Sequence, residues 1–416
     1  MWLQLGAPIS SANQVSEGNP VDRVVYSALL AAGFIVLVQR RERLKGFFKA
    51  NWAVILFFVY CGISIVWSDY PEVAIKRWPK AIGDLIMVLV VLSDANPVGA
   101  LKRLFARIGY LLIPLSILIT KYYPALGMLY GPWGGKPEYT GVTTNKNTLG
   151  MICLIFGLGS LWRLIHAYGD RETSGRARRF VAQVLVLLMV VWLFHTADSM
   201  TSQNSFVMGS VLLLAASTSA AHRKPVLIHL LILFMLIGTI SVLFLGVSPD
   251  ALKTIGRDPT FTGRTEVWGV LLKFVKHPLV GTGFESFWLG RRLATIWDIY
   301  WWRPNEAHNG YLEIFLNLGW IGISGLIVVL AVGYKSVVRR WRMNIPAGNL
   351  FLVYFFISLL FNLTEAAYFR MLAPVWISFL LAVTTVPLST MGTFSKATER
   401  PSRRLEQEQP ALTFAL

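Results

Sequence analysis

Charged residues are scarce in this chain. Asp, Glu, Lys and Arg make up 15% of its 416 residues, whereas typical soluble domains contain about 25%. Hydrophobic residues, by contrast, make up 55%. This balance argues against an ordinary soluble domain and favours a protein that lies mostly within a membrane.

Cysteine and secretion signals are also nearly absent. The two cysteines, Cys61 and Cys153, lie inside apolar runs and have no partner at metal-ligand spacing, which excludes a disulfide framework or a zinc ribbon. Residues 1–20 have neither a basic start nor a long apolar stretch, so they are not a cleavable signal peptide. We therefore expect the chain to insert through its own spans.

Acidic residues are outnumbered by basic ones, with 22 Asp and Glu against 39 Lys and Arg and a net charge of +17. A basic chain could bind nucleic acid, but these basic residues fall mostly between apolar runs. Their excess therefore predicts membrane topology rather than a groove for phosphate backbones, and nucleic acid is not an expected partner.

Apolar runs of bilayer-spanning length recur along the chain. A transmembrane helix needs about 20 residues, and the run at 80–93 reaches that length only with its flanks. The sequence predicts an all-α, polytopic integral membrane protein with about eleven transmembrane helices, at 22–39, 51–68, 80–93, 104–120, 148–166, 180–196, 205–221, 226–247, 318–334, 349–364 and 371–387.

The segments between these runs alternate in basic content. One set of short loops, together with the tail, holds 23 of the 39 basic residues. By the positive-inside rule this set is cytoplasmic, so the C-terminus lies inside and, with an odd number of spans, the N-terminus outside. Five regions follow: an external segment 1–21, spans one to eight in 22–247, a periplasmic loop 248–317, spans nine to eleven in 318–387, and a cytoplasmic tail 388–416.

The long loop 248–317 is where we expect the chemistry, because long loops in otherwise short-looped proteins are usually functional. An amphipathic helix is predicted there by the apolar stripe Trp268, Leu271, Leu272 and Val275. Arg264 lies one turn before this stripe, near a helix N-terminus that favours anions. Two interpretations are open, an arginine that reaches lipid headgroups and an arginine that binds phosphate.

A second helix is predicted from Glu306 into the ninth span. Asn309, Glu313 and Asn317 form a polar stripe on it, and such a stripe must face protein or water rather than lipid. His308 would then open a polar cavity at the outer surface, where imidazole can accept a proton near neutral pH. The alternative is a histidine that caps or packs at the helix start.

Cations are frequent on the face predicted to be external, at Arg77, Lys146, Arg264, Arg291, Arg292, Arg303 and Arg370. The positive-inside rule should deplete cations there, so their excess suggests an anionic ligand. Tryptophans and tyrosines lie among the arginines between residues 288 and 302. They predict either an interfacial aromatic belt or a surface on which sugars stack.

Several motifs, in this order, resemble the O-antigen ligase and Wzy-type polymerase superfamily over roughly residues 50 to 387. They are TNKNTLG at the start of a span, GRTEVW and HPLVGTGF in the long loop, AHNGYLEIFLNLGWIG entering the next span, and a late NLTEA. Together with WSDYPEVAIKR, the NLTEA form is most similar to the ExoQ-like exopolysaccharide production proteins.

The resemblance implies a multi-pass glycosyltransferase of GT-C-like architecture in the bacterial inner membrane, with its active site facing the periplasm. It implies an undecaprenyl-pyrophosphate-linked oligosaccharide as donor, an acceptor glycan or lipid, and no cofactor, nucleotide sugar or metal. Membrane lipids, a chain-length regulator and export proteins are candidate partners. His308 and Arg264 are implied as catalytic residues, His308 for the acceptor hydroxyl, as base or positioner, and Arg264 for the pyrophosphate.

Further residues are predicted to bind substrate. Arg77 and Lys146 are implied as additional ligands of the same anion, with Glu365 orienting one of them. The full predicted set is Arg77, Lys146, Arg291, Arg292, Arg303, Asn309, Glu313, Glu365 and Arg370.

Three functions remain open at this point. The first is an inverting, metal-independent polymerase that joins lipid-linked repeat units into exopolysaccharide or O-antigen. The second is a ligase that moves finished glycan onto lipid A-core or another acceptor from the same donor. A polysaccharide or lipid transporter is the third, and it is disfavoured because ionisable residues are few at mid-span and no paired, broken spans recur in two halves.

Overall fold

The computed structural model describes residues 20–130, 137–169, 175–244 and 261–386. Nearly all of the predicted external segment 1–21 lies outside these ranges. The predicted tail 388–416 and the first part of the loop 248–317 also lie outside the described residues.

The described chain is almost entirely helical, as predicted. Its α-helices are α1 Pro20–Gln39, α2 Phe47–Ala50, α3 Trp52–Ile63, α4 Pro71–Leu92, α5 Pro97–Tyr122, α6 Pro124–Gly127, α7 Lys146–Gly169, α8 Arg176–Ala197, α9 Met200–Ala216, α10 Ser219–Arg223, α11 Val226–Phe244, α12 Phe261–Lys273, α13 Gly290–Ile299, α14 Gly310–Arg342, α15 Gly348–Thr364 and α16 Pro374–Val383. Short 3₁₀ turns occur at Arg41–Leu44 and Ser64–Trp67. The described strands form one antiparallel hairpin, β1 Met128–Tyr130 and β2 Pro137–Tyr139.

Several helices are long and apolar enough to cross a membrane. In the described ranges they are Pro97–Tyr122, Lys146–Tyr168, Arg176–Ala197 and Gly310–Arg342, and a bent pair, Arg23–Gln39 with Arg41–Ala50, could form a fifth span. Shorter apolar helices lie at Trp52–Trp67, Val226–Val242, Gly348–Thr364 and Pro374–Val383. Each predicted run overlaps a described helix, but the number of eleven crossings stays a prediction.

Helix α15 forms the centre of the bundle. It packs against α9, α14 and α16, and its aromatic side chains Tyr354 and Phe361 are fully buried. The outer helices instead expose apolar side chains, such as Phe234 on α11 and Leu188 on α8. Exposed apolar side chains on the outside of a helical bundle are expected where lipid replaces water as the solvent.

The described part of the long loop before α14 contains two helices, and their details differ from the sequence-based expectation. In α12 the buried residues are Val267 and Leu271, whereas Leu272, placed on the predicted stripe, is 47% exposed. Helix α13, which buries Leu293 and Ile296, was not predicted. Trp268 and Val275 are partly buried against the same apolar residues, so three of the four predicted residues lie on the buried apolar face, which is turned away from Leu272 toward Val267.

Helix α14 is interrupted at Gly319, and at this interruption the long loop is hydrogen-bonded to the helix. Gly319 has φ 64°, and a Cβ there would lie 2.4 Å from the backbone of Leu279. The freed N–H of Trp320 donates to the Pro278 carbonyl at 2.9 Å, and Ile321 N–H donates to Leu279 at 3.1 Å. Only glycine tolerates both the positive φ and this close approach, so the break holds the loop against the bundle.

Candidate active site

His308 lies before α14, not within it, which corrects the predicted helix start at Glu306. Asn309 is the N-cap of α14, and its Oδ1 accepts from the N–H groups of Tyr311 and Leu312, each at 3.0 Å. This is the usual role of asparagine at a helix start. His308 has φ +50°, a left-handed conformation in which His and Asn are enriched among non-glycine residues.

The turn after α15 is bound to this helix start. Asn362 Oδ1 accepts from the N–H groups of Ala367 and Tyr368 at 2.9 and 3.0 Å, which closes the NLTEA segment into a compact turn. Gly310 N–H donates to the Glu365 carbonyl at 3.1 Å. The bond from Gly310 joins the two segments, and the Glu365 side chain faces His308.

Replacing Gly310 with alanine should loosen this junction. A Cβ at Gly310 would lie 1.9 Å from Asn362 Oδ1, and Asn362 is fully buried, so the added methyl group must displace the turn. Such overpacking costs about 1–3 kcal/mol. We expect a lower melting temperature and lower activity. Gly269→Ala is the control, since its Cβ meets open space, and equal melting temperatures for both variants would contradict the predicted clash.

Five ionisable side chains meet at this junction and form what we call the charge cluster: Arg264, Glu306, His308, Glu365 and Arg370. His308 Nδ1 lies 3.0 Å from Glu365 Oε2 and 3.3 Å from Glu306 Oε1. Arg264 Nη2 lies 3.5 Å from Glu365 Oε1, and Arg370 Nη2 lies 2.6 Å from Glu306 Oε2. Arg264 also donates to the Thr364 carbonyl. Each carboxylate is thus shared between His308 and one guanidinium group.

The environment shifts the ionisation of His308 and Glu365 in opposite directions. Burial favours neutral His308, but the hydrogen bond that its Nδ1–H donates to Glu365 and the charge of Glu306 outweigh this effect and raise the pKa of His308. Burial also acts to raise the pKa of Glu365, but His308 and Arg264 stabilise the carboxylate and hold that pKa below its usual value. The pair is therefore an imidazole that binds its proton firmly beside an ionised carboxylate.

The two ring nitrogens of His308 differ in their hydrogen-bond partners. Nδ1 contacts the two carboxylates, while no hydrogen bond joins Nε2 to any of the described residues. The side chain remains 25% exposed. With Nδ1–H donating to Glu365, Nε2 is the nitrogen that accepts a proton.

Three members of the cluster could also hold a metal by distance alone. Glu306, His308 and Glu365 offer ligand atoms within 4.8 Å of one another. However, Arg264 and Arg370 already compensate both carboxylates, and a divalent cation would have to enter beside two guanidinium groups. This arrangement favours an anion over a metal as the ligand of the cluster.

Lys146 and Arg77 lie outside the cluster and pair with other carboxylates. Lys146, at the start of α7, is 3.1 Å from Glu138. Arg77 on α4 contacts the carboxylate of Glu285 at 3.2 Å and its carbonyl at 3.0 Å. Glu365 orients neither cation through these contacts, because its carboxylate contacts Arg264 and His308 instead.

The three arginines near α13 are also separate from the cluster. Arg292 pairs with Asp69 and donates to the Phe287 carbonyl at 3.1 Å, so it ties the loop to the segment before α4. Arg303 lies over the Trp297 ring, 5.6 Å from its centroid. Arg291 is exposed on α13. Substrate binding by these three residues stays a prediction.

The side chains of the polar stripe are hydrogen-bonded within the protein. Glu313 is buried and accepts from Trp288 Nε1 at 2.9 Å and from the Ala307 N–H. Asn317 Oδ1 accepts from the Ser286 N–H at 3.0 Å, and Asn309 caps α14. Because protein donors occupy these oxygens, the geometry favours a structural role for Asn309 and Glu313 over the predicted contact with substrate.

Sequence reasoning missed two residues of the site. Glu306 contacts both His308 and Arg370, and Asn147 Nδ2 lies 3.4 Å from Glu365 Oε1. A carboxylate two residues before a candidate base was one available signal for Glu306. Asn147 directly follows Lys146 in the TNKNTLG motif, and its position there was the available signal.

Most of the charge cluster lies in a segment that matches a known protein family. Residues 144–327 match the Wzy_C model, described as O-antigen ligase. The matched segment contains Lys146, Arg264, Glu306 and His308, so most of the charge cluster lies within it, and Glu365 and Arg370 follow it.

Two relatives extend the Wzy_C match. The chain is 23% identical over 320 residues to the exopolysaccharide production protein ExoQ of Rhizobium meliloti, covering 74% of this chain and 69% of that protein. It is 26% identical over 187 residues to a Rickettsia felis protein provisionally named a polysaccharide ligase, covering 42% and 43% of the two chains. These matches confirm the predicted resemblance to the O-antigen ligase and ExoQ-like family.

Proposed function

We propose that this protein is an inverting, metal-independent glycosyltransferase that polymerises undecaprenyl-pyrophosphate-linked repeat units on the periplasmic face of the inner membrane. The observation that carries this proposal is the charge cluster, in which His308 lies between carboxylates that Arg264 and Arg370 also contact. Such a site offers cations for a pyrophosphate beside a nitrogen that can accept a proton.

The reaction requires no covalent enzyme intermediate. The acceptor hydroxyl attacks the anomeric carbon of the donor sugar, a new C–O bond forms, and the bond to the lipid pyrophosphate breaks with inversion. Pyrophosphate is a good leaving group, so the main tasks are to orient the acceptor and stabilise the departing charge. Hydrogen bonds from Arg264 and Arg370 would each contribute about 1.5–3 kcal/mol.

His308 would take the hydroxyl proton through Nε2. Glu365 holds Nδ1 at 3.0 Å, which fixes the ring orientation and the tautomer and stabilises the imidazolium that forms. The raised pKa of His308 makes its neutral form a stronger base, while it reduces the fraction of that form near neutral pH. Activity should therefore rise with pH through the pKa of His308.

In Glu365→Gln the increase of transfer activity with pH should occur at lower pH, because the substitution removes the carboxylate whose hydrogen bond and charge raise the pKa of His308. The maximal rate should also fall, but by less than the about 10²- to 10⁴-fold of a lost base. The measurement is the pH dependence of transfer by purified enzyme. Glu138→Gln, which removes the carboxylate paired with Lys146, should leave the profile in place. A rise that stays at the same pH in Glu365→Gln would exclude His308 as the group that titrates.

Polymerisation is proposed first because the ExoQ relative covers far more of this chain than the ligase-named one. The second candidate is ligation of finished glycan from the same lipid carrier to lipid A-core or another acceptor, favoured by the description of the matching family. Deleting the gene distinguishes the two. Single repeat units left on the lipid carrier support polymerisation, whereas long chains that are not attached to an acceptor support ligation.

A further inference from the structure

We propose that Trp302 forms the acceptor-sugar subsite beside His308, with the sugar ring stacked on its indole. This inference rests on the proposed glycosyl transfer and goes further, because it assigns one side of the site to one substrate. The arginines of the charge cluster can bind the phosphates of the donor. The aromatic neighbour of His308 can bind the uncharged acceptor sugar, whose hydroxyl gives its proton to His308.

The position of Trp302 relative to His308 carries the proposal. The two ring centroids are 6.4 Å apart and the ring planes differ by 32°. Because carboxylates hold the Nδ1 side of the imidazole, a sugar hydroxyl must approach Nε2, at about 3 Å. Because the two rings are close neighbours, a sugar ring that lies against the indole is near enough to place one hydroxyl at Nε2.

The indole is held in place by the folded loop around it. Its ring packs against Tyr300, with centroids 5.9 Å apart, and Trp297 Nε1 donates to the Pro304 carbonyl at 2.8 Å across the same turn. Arg303, at φ +49°, reverses the chain after Trp302 and leads back to His308. An aromatic ring held in this way can bind a ligand with little loss of side-chain entropy.

The chemistry of the two surfaces is complementary. The face of an indole carries excess electron density, and the C–H groups on one face of a pyranose are weakly positive. The alternative is that Trp302 belongs to an aromatic belt at the membrane surface. Its neighbour Trp301 fits that description better, because it is 63% exposed, whereas Trp302 is half-buried beside the cluster.

The experiment separates acceptor from donor binding. The acceptor probe is the repeat-unit oligosaccharide released from its lipid, which retains the attacking hydroxyl but no pyrophosphate, and the donor-site probe is undecaprenyl pyrophosphate. Full-length protein is compared with Trp302→Ala, Trp302→Phe and Trp301→Ala. We expect Trp302→Ala to raise the KM for the oligosaccharide by about three- to tenfold, the range for an aromatic contact, with undecaprenyl pyrophosphate binding unchanged. Phenylalanine should restore most of the loss, and Trp301→Ala should have no effect.

Other outcomes overturn the assignment. A KM in Trp302→Ala within twofold of wild type excludes stacking, as does an equal increase in Trp301→Ala, which would indicate a membrane-surface role for both. Weaker binding of undecaprenyl pyrophosphate in Trp302→Ala would place the indole on the donor side. Wild-type protein that binds undecaprenyl pyrophosphate but transfers no sugar to any acceptor would reject the proposed function itself.

Discussion

Arg264→Ala and Arg264→Lys should both abolish product while the protein still accumulates in the membrane. The guanidinium of Arg264 contacts Glu365 Oε1 and the Thr364 carbonyl, so its orientation is set by the turn after α15. Lysine keeps the charge but has neither the planar fork that binds phosphate through two parallel hydrogen bonds nor the geometry to make the same contacts. We expect product to fall at least about 100-fold in both variants, as for the loss of one preorganised donor at a developing charge.

Lys273→Ala provides the matched control for this experiment. Lys273 lies exposed in the last turn of the same helix, so the variant removes a cation from α12 without touching the charge cluster. Product yield should be unchanged in it. If Arg264→Lys restores more than about half of the activity, simple charge attraction suffices and the bidentate phosphate contact is wrong.

The composition and apolar runs of the sequence predict most of the helical architecture, because a bilayer-length helix depends on local hydrophobicity. The start of α14 was misplaced for a local reason. Glu306 and His308 fit the helical period when the pattern is extended backwards, but Asn309 is a strong N-cap residue. The N-cap preference of Asn309 is therefore a stronger signal for the helix start than the helical spacing of Glu306 and His308, and it places His308 outside the helix.

The composition of the charge cluster depends on tertiary structure. Glu365 follows His308 by 57 residues, and the two meet only because the turn closed by Asn362 packs on the first turn of α14. The sequence identified Arg264, His308, Glu365 and Arg370 as separate candidates. It could not show that Glu365 contacts Arg264 and His308 rather than Lys146 or Arg77, because no periodicity relates the three segments.

The spacing of the polar stripe on α14 predicts which side of the helix avoids lipid, but it does not predict what the side chains on that side bind. Its spacing predicts that Glu313 and Asn317 avoid lipid, and the structure shows both oriented toward the long loop, where they accept hydrogen bonds from Trp288 and Ser286. The pattern is equally compatible with substrate or protein as the partner. Whether the stripe binds protein or substrate depends on the hydrogen-bond donors that the loop presents to it, and these depend on how residues 278–288 fold against α14.

Replacement of His308 should separate its chemical role from its structural role. If His308 is the general base, turnover should fall about 10²- to 10⁴-fold in both His308→Ala and His308→Gln. His308→Asn is the third comparison, because asparagine tolerates the left-handed backbone at φ +50° and its amide can still donate to Glu365, while it has no counterpart of Nε2. The three variants should therefore be similarly inactive, although alanine should be the least stable of them.

The pattern of activities identifies the role of the imidazole. Activity retained in His308→Gln, with loss in His308→Ala and His308→Asn, would mean that His308 positions the acceptor without taking its proton, because the glutamine amide can replace Nε2 as a hydrogen-bonding group only. Full activity in His308→Asn would make the contact with Glu365 structural and exclude Nε2 from the reaction. Because stabilising the phosphates and removing the proton are separate tasks, undecaprenyl pyrophosphate should still bind to His308→Asn and bind weakly to Arg264→Ala. Equal weakening in the two purified variants would mean that the cluster acts as one unit, held together through Glu365.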